Sequence, residues 1–261
     1  LIVWAVALAL LTAGAIVANG KEREVALSPL ASIDNVGPRG TAALFAWLAE
    51  TGRAPVRITE RLGRGPVGAS TLLLAAPRSA LSASEAEGVL QFVEAGGLLV
   101  WAVGEPRTQP ALERVLQVSW PRGDDGPIEL AALPGRPVES LAPHPLLRDL
   151  VLRSAPKATI GSNLPEALAV AGGTGYTAVV AKPHGRGEVL LLAGASLLES
   201  FRLSEGGNLT FWSRVAARGP IAFAEGNWYG AGAAKPFSDR ALKILAVQAL
   251  IAGVCFAWAR G

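Results

Sequence analysis

The chain has 261 residues, of which 51% are hydrophobic, with one cysteine, no methionine and a formal net charge of +3. A lone cysteine excludes an intramolecular disulfide and a thiolate zinc site. The near balance of 24 basic against 21 acidic residues, with no basic run interleaved with aromatics, excludes a nucleic-acid footprint.

Mean hydropathy is +0.36, high for a soluble domain, and the excess lies at the two ends. Leu1 to Asn19 carries no charged residue, and about 20 apolar residues make a membrane-spanning helix. A cleaved signal peptide is the other reading of this segment, although its apolar run exceeds the usual length of about 7–15 residues. Ala241 to Ala259 contains only Lys243 as a charge and is apolar all round rather than along one stripe, so it is read as a second span rather than a buried core helix. Spans are expected over residues 1–19 and 241–260, with one α/β domain over 20–240 between them.

Within the domain, Thr41 to Thr51 is expected to be a helix with Ala43, Leu44, Trp47 and Leu48 on one face and Gly52 after its end. Pro55 to Thr59 reads as a short strand. Thr71 to Ala76 and Leu98 to Val103 are unbroken apolar runs suited to strands buried on both faces. The helix between these runs starts at Ser82 or Ser84, has Glu85 and Glu87 near its start, and ends at Gly96–Gly97. A further helix is expected over Thr108 to Val118, with Thr108 as its cap. This strand, helix, strand rhythm predicts βαβ units and a parallel sheet. Pro121 to Pro165, rich in proline and glycine, reads as an irregular excursion. Tyr176 to Lys182 and Glu188 to Ala193 flank the turn PHGRG and predict a hairpin. Asn208 is the expected cap of a helix ending at Gly219, and Ile221 to Glu225 is the last strand.

Three blocks, in this order, carry a family resemblance: Ser32-x-x-Asn35-x-Gly37-x-x-Gly40-Thr41 before a helix; TLLLAAP, an acidic-start helix and FVEAGGLLVWA; and GRGEVLLLAGASLLES followed by NLTFW and IAFAEG. With the two apolar ends, they resemble the bacterial domain of unknown function 4350. The resemblance implies a flavodoxin-like α/β fold similar to class I glutamine amidotransferases, with a mostly parallel sheet and helices on both faces. It also implies a place between membrane spans and partners of the MoxR-type AAA ATPase and von Willebrand A-like kinds. It implies no established activity, and EGNWYG departs from the acidic-plus-histidine ending of relatives.

The residues offer little for catalysis. Amidotransferase chemistry needs a thiolate at a strand-to-helix elbow, and Cys255 lies in the second apolar segment. Gly194-Ala195-Ser196-Leu197-Leu198 lacks the second glycine of a serine elbow, so Ser196 is read as the cap of a short helix. His144 and His184, among prolines and glycines, read as exposed loop residues, and Asp124–Asp125 as a solvated pair. No metal site or cofactor is expected.

The stretch from Ser32 to Thr41 is the candidate ligand loop. Gly37 and Gly40 permit positive φ or close backbone approach, the helix start at Thr41 offers N–H groups to an anion, and Arg39 would be the cationic contact. No lysine completes a phosphate-binding loop, and Ser32 and Asn35 can equally fix a turn by bonding backbone. The expected function is a membrane-anchored, non-enzymatic scaffold or interaction module. A ligand sensor or degenerate-site hydrolase using Ser32, Asn35, Gly37, Arg39, Gly40, Thr41 and Glu225 is the alternative. Lys21, Arg23, Lys235 and Arg240 beside the spans place the domain in the cytoplasm if the charge rule is applied literally. The family resemblance places it on the extracytoplasmic side of a bacterial inner membrane, and that side is the expectation.

Overall fold

The structure is a computed structural model, and it describes residues 31–63, 65–77, 79–103, 109–118, 136–154, 160, 166–174 and 176–225. All belong to one compact unit, Val25–Gly230. They form four α-helices and nine strands: α1 (Ala42–Glu50), β1 (Val56–Ile58), β2 (Thr71–Ala75), α2 (Ala83–Glu94), β3 (Leu98–Ala102), α3 (Pro110–Leu116), β4 (Arg136–Ser140), β5 (Leu152–Ser154), β6 (Leu168–Gly173), β7 (Tyr176–His184), β8 (Gly187–Leu192), α4 (Asn208–Ala216) and β9 (Ile221–Ala224).

The strands make one sheet in the order β1-β9-β2-β3-β8-β7-β6-β4-β5. From β1 to β8 the pairings are parallel; from β8 to β5 they are antiparallel. The sheet is therefore mixed, which corrects the expected mostly parallel, flavodoxin-like sheet. The cause is connection length. β7 pairs with β8 up to His184↔Gly187 around a tight turn in which Gly185 has φ 59°, and a parallel pair needs a crossover of a dozen or more residues. β4 and β5 lie inside the segment expected to be irregular. Their signal is weak because each is short and Pro137 interrupts β4.

Alternation along the buried strands divides the core between the two faces. Leu73, Val100, Leu190 and Leu192 join Leu44 and Leu48 of α1 and Phe211, Trp212 and Val215 of α4. Leu72, Leu74, Leu99, Trp101 and Leu191 join Val89, Leu90 and Val93 of α2 and Leu112 and Leu116 of α3. Leu44 and Leu48, four residues apart on α1, are both 0% exposed; burying a leucine stabilises by about 2 kcal/mol. Ser82 starts α2 through a reciprocal capping box with Glu85. At α4 the cap position is Gly207, not Asn208. Asn208 instead binds the Arg153 N–H (2.9 Å) and the carbonyls of Arg153 and Arg202, tying the helix start to β5. α3 is shorter than expected, and Thr108 lies outside the described residues.

The architecture of two membrane-spanning helices, and the inner-membrane location built on it, is corrected to this extent: among the described residues no helix is long and apolar enough to cross a membrane. The segments Leu1 to Asn19 and Ala241 to Ala259, with Cys255, lie outside the described residues, as does Asp124–Asp125.

Candidate functional site

β1, β9, β2, β3 and β8 run parallel and present their carboxyl ends together, where open α/β sheets hold ligands. Glu225 stands one residue past β9. Its N–H donates to the Ile58 carbonyl (2.7 Å), extending the β1–β9 ladder. Its carboxylate accepts the Ser32 hydroxyl at Oε2 (2.7 Å) and the Ile33 N–H at Oε1 (2.9 Å). Ser32 Oγ in turn accepts the Asp34 N–H (3.1 Å), and Asp34 takes Arg57 of β1 in a two-pronged ion pair. Together these contacts clasp the segment before α1 onto the ends of β1 and β9.

The rest of the loop closes on itself and on the segment after β8. The Ser32 carbonyl accepts the N–H groups of Asn35 (3.2 Å) and Thr41 (3.1 Å). Asn35 Oδ1 accepts the Gly37 N–H (2.9 Å), a side chain standing in for a turn carbonyl. Thr41 does not cap α1; its hydroxyl donates to the Ala31 carbonyl (3.1 Å). Two 3-10 turns follow β8, Ala195–Leu197 and Ser200–Arg202. Ser200 donates to the Gly40 carbonyl from both N (2.9 Å) and Oγ (2.8 Å). The same hydroxyl lies 3.4 Å from the Ala43 N in the first turn of α1, where the ligand reading of the loop would put an anion. Arg39 turns to Glu199 (3.4 Å), which also faces Arg202 (3.4 Å).

Neither Gly37 nor Gly40 has positive φ, so close approach is the reason for glycine at position 40. A Cβ there would run into the backbone carbonyl of Asn35. Ser32, Asn35 and Thr41 are buried. The structure thus brings Ser32 and Glu225 into direct contact, folds Asn35, Gly37, Gly40 and Thr41 into the turn, and sends Arg39 to Glu199. Sequence reasoning missed Glu199, Ser200, Asp34 and Arg57. Arg39–Glu199 and Gly40–Ser200 contacts are separated by 160 residues, and no local pattern marks such pairs.

Burial pushes the Glu225 carboxyl above its ordinary value, because an ionised carboxylate loses water there. The Ser32 hydroxyl and Ile33 N–H pull it down, nearby Asp34 raises it, and Arg57 lowers it. Burial outweighs the donors.

Two serine and histidine expectations are corrected. Ser196 sits inside a 3-10 turn rather than capping it, is buried, and shares a hydrogen bond of 2.7 Å with Ser154 Oγ. His144 is 8% exposed rather than a surface residue. Its Nδ1 accepts the Leu146 N–H (3.3 Å), which leaves Nε2 to donate to Glu188 (3.0 Å). His184 is partly buried beside Glu94 (3.3 Å).

Among solved structures, the chain is similar to a cytoplasmic protein from Salmonella typhimurium, with 14% identity, a TM-score of 0.42, and coverage of 60% of this chain and 72% of that one. It is also similar to the mmIFT52 N-terminal domain, with 14% identity, a TM-score of 0.42, and coverage of 62% and 78%. An exo-β-1,4-mannosidase from Opitutaceae bacterium strain TAV5 is similar at 17% identity and a TM-score of 0.35, over 57% of this chain and 25% of the mannosidase. No curated protein matches. The family described as Domain of unknown function (DUF4350) matches residues 33–216, and the chain belongs to that family.

Proposed function

We propose that the chain is a non-enzymatic α/β interaction domain, a scaffold that works by contact with other proteins. One observation carries this reading: at the carboxyl ends of the parallel strands, the side chains of Ser32, Asn35 and Thr41 bond within the protein, and Arg39 turns to Glu199. An unliganded cradle for substrate would keep donors aimed at a vacancy. Here the helix start faces Ser200, and Glu225 holds Ser32. Ser196, the residue nearest to an elbow nucleophile, is buried against another serine. Partners of the MoxR-type AAA ATPase and von Willebrand A-like kinds belong to this proposal through the family resemblance.

The test is reconstitution. The purified chain is mixed with a MoxR-type ATPase and a von Willebrand A-like protein from the same bacterium, and complex formation is measured by sizing with light scattering. A stoichiometric complex is expected. In parallel the chain is assayed on ester, amide and phosphoester substrates. Turnover abolished by Ser196→Ala or Glu225→Gln would overturn the reading.

The alternative, a ligand sensor, draws on Glu225 alone. A partly buried carboxyl with a raised pKa at a strand end is a common mark of a functional site. A small ligand that stabilises the wild-type chain in thermal melts but not the Glu225→Gln variant would favour it.

A further inference from the structure

Away from the carboxyl ends lies an open groove of about 1100 Å³, lined by Ser140, Leu141, the 142–145 turn, Arg148 to Val151, and Arg214. We infer that this groove binds an acidic, leucine-bearing segment of a partner protein. The inference rests on the interaction-domain reading above and gives it a surface and a partner chemistry.

The groove's charge selects the sign of the partner. Arg214 reaches across from α4, and its Nη1 donates to the carbonyls of Arg148 (2.6 Å) and Leu146 (3.4 Å). Those two bonds fix the plane of the guanidinium while the rest of its donor edge makes no bond among the described residues. Arg148 is exposed and makes no ion pair or side-chain hydrogen bond among the described residues. His144 is already committed to Glu188. Asp149 is the single acidic residue on the lining. An arginine fork held by backbone carbonyls is suited to a carboxylate, since its donors are already aimed.

The groove's walls select the rest. Leu141 and Val151 are 52% and 49% exposed, and Pro143 and Pro145 also line the groove. Small-molecule pockets run about 300–1000 Å³ and bury most of their ligand. This groove, at about 1100 Å³, exceeds that range and is open, so a small anion would leave its apolar lining wet. A chain segment with alternating leucine and aspartate would cover the walls and meet the two arginines. Charge then sets register and association rate, and the apolar cover sets residence time.

The test uses the full chain and a fluorescein-labelled peptide of alternating leucine and aspartate, followed by fluorescence polarisation. Saturable binding that weakens at least tenfold in Arg148→Glu is expected. Arg148→Lys should retain binding within about threefold, and Arg53→Glu, an exposed site outside the groove, should bind as the wild type does. A leucine–lysine peptide should not compete. No binding of the acidic peptide, or equal binding by wild type and Arg148→Glu, would overturn the inference. So would Arg148-dependent binding to phosphatidylserine vesicles without peptide binding, which would make the surface a lipid contact. These failures leave the reconstitution test untouched. A complex there that survives Arg148→Glu would place the contact elsewhere, whereas failure of both tests would remove the interaction reading itself.

Discussion

The loop Ser32–Thr41 and the groove beside α4 are both rich in polar side chains, but they treat them in opposite ways. In the loop, hydroxyl, amide and carboxylate groups meet one another, and Glu225, Ser200 and Glu199 arrive from far along the chain to complete the set. In the groove, Arg148 is left to solvent and two apolar side chains stand about half exposed. A buried polar group without a partner costs free energy, so a folded loop must satisfy its own groups. A surface groove is under no such demand. Polarity at a strand end is thus a poor guide to binding, and unmet polarity beside exposed apolar walls is a better one. If this contrast is right, changes in the loop should act on stability and changes in the groove should act on binding.

Gly40→Val is the sharpest break. The new Cβ would overlap the Asn35 carbonyl, which is backbone and is held in the turn through the Asn35 N–H bond to Ser32. Overpacking of this kind costs about 3 kcal/mol, and urea melts of the full chain should show it. Gly52 provides the control. Its φ is +72° with nothing within 4 Å of a Cβ, so Gly52→Ala should cost only about 1 kcal/mol of backbone strain. Equal losses at the two positions would mean that backbone conformation, not crowding, decides the loop.

Ser32→Ala comes next. It removes one of the two donors on the Glu225 carboxylate and the acceptor of the Asp34 N–H. A hydrogen bond to a charged group contributes about 1.5–3 kcal/mol, and the partial exposure of Glu225 places the expected loss at the lower end. Ser32→Thr keeps the hydroxyl and should recover most of it. A loss below about 0.5 kcal/mol in the alanine variant would mean that the clasp is decorative, and the sensor reading would gain ground.

The sequence displays the local half of this picture well. The unbroken runs at Thr71 to Ala75 and Leu98 to Ala102 are buried on both faces, Ser82 caps its helix, and the hairpin around Gly185 is in place. These features rest on neighbours within a few residues. The direction of β4 to β7 is less legible, because a three-residue strand such as β5 has too few positions to show alternation. In the candidate loop the residue types were readable but their partners were not. Asn35 can be seen to favour a turn, while Thr41 can be seen to start the helix but not to bond back to Ala31. His144 looks exposed between two prolines, yet it is buried and meets Glu188 on β8, 44 residues away.

The pH dependence of the clasp gives a smaller effect with a definite sign. Burial raises the folded pKa of Glu225, while the unfolded chain keeps the ordinary value. A raised folded pKa contributes stability that is fully present below the unfolded pKa and is lost as pH rises through the folded one. Ionised Glu225 is therefore a cost at neutral pH, in spite of its two donors. Glu225→Gln removes this titration. Urea melts of both proteins from pH 4 to pH 7 should show the wild type losing ground to the variant as pH rises. The opposite slope would mean that Ser32 and Ile33 outweigh burial and that the carboxylate form is the one the loop is built around.

Arg148→Glu should have the smallest effect on stability and is the strictest test of the contrast. The side chain is exposed and makes no ion pair among the described residues, and surface substitutions of this kind stay within about 0.5 kcal/mol. The backbone carbonyl of Arg148, which receives Arg214, is unchanged by the substitution. Melts of the variant should overlay those of the wild type while peptide binding falls. The new carboxylate would stand beside Asp149 and reverse the sign of the groove, so any remaining attraction to an acidic segment would have to come from Arg214. A clear loss of stability would instead show that Arg148 is engaged in the folded protein. The groove would then resemble the loop, and the distinction between a region that completes itself and a region that awaits a partner would fail at the residue on which it chiefly rests.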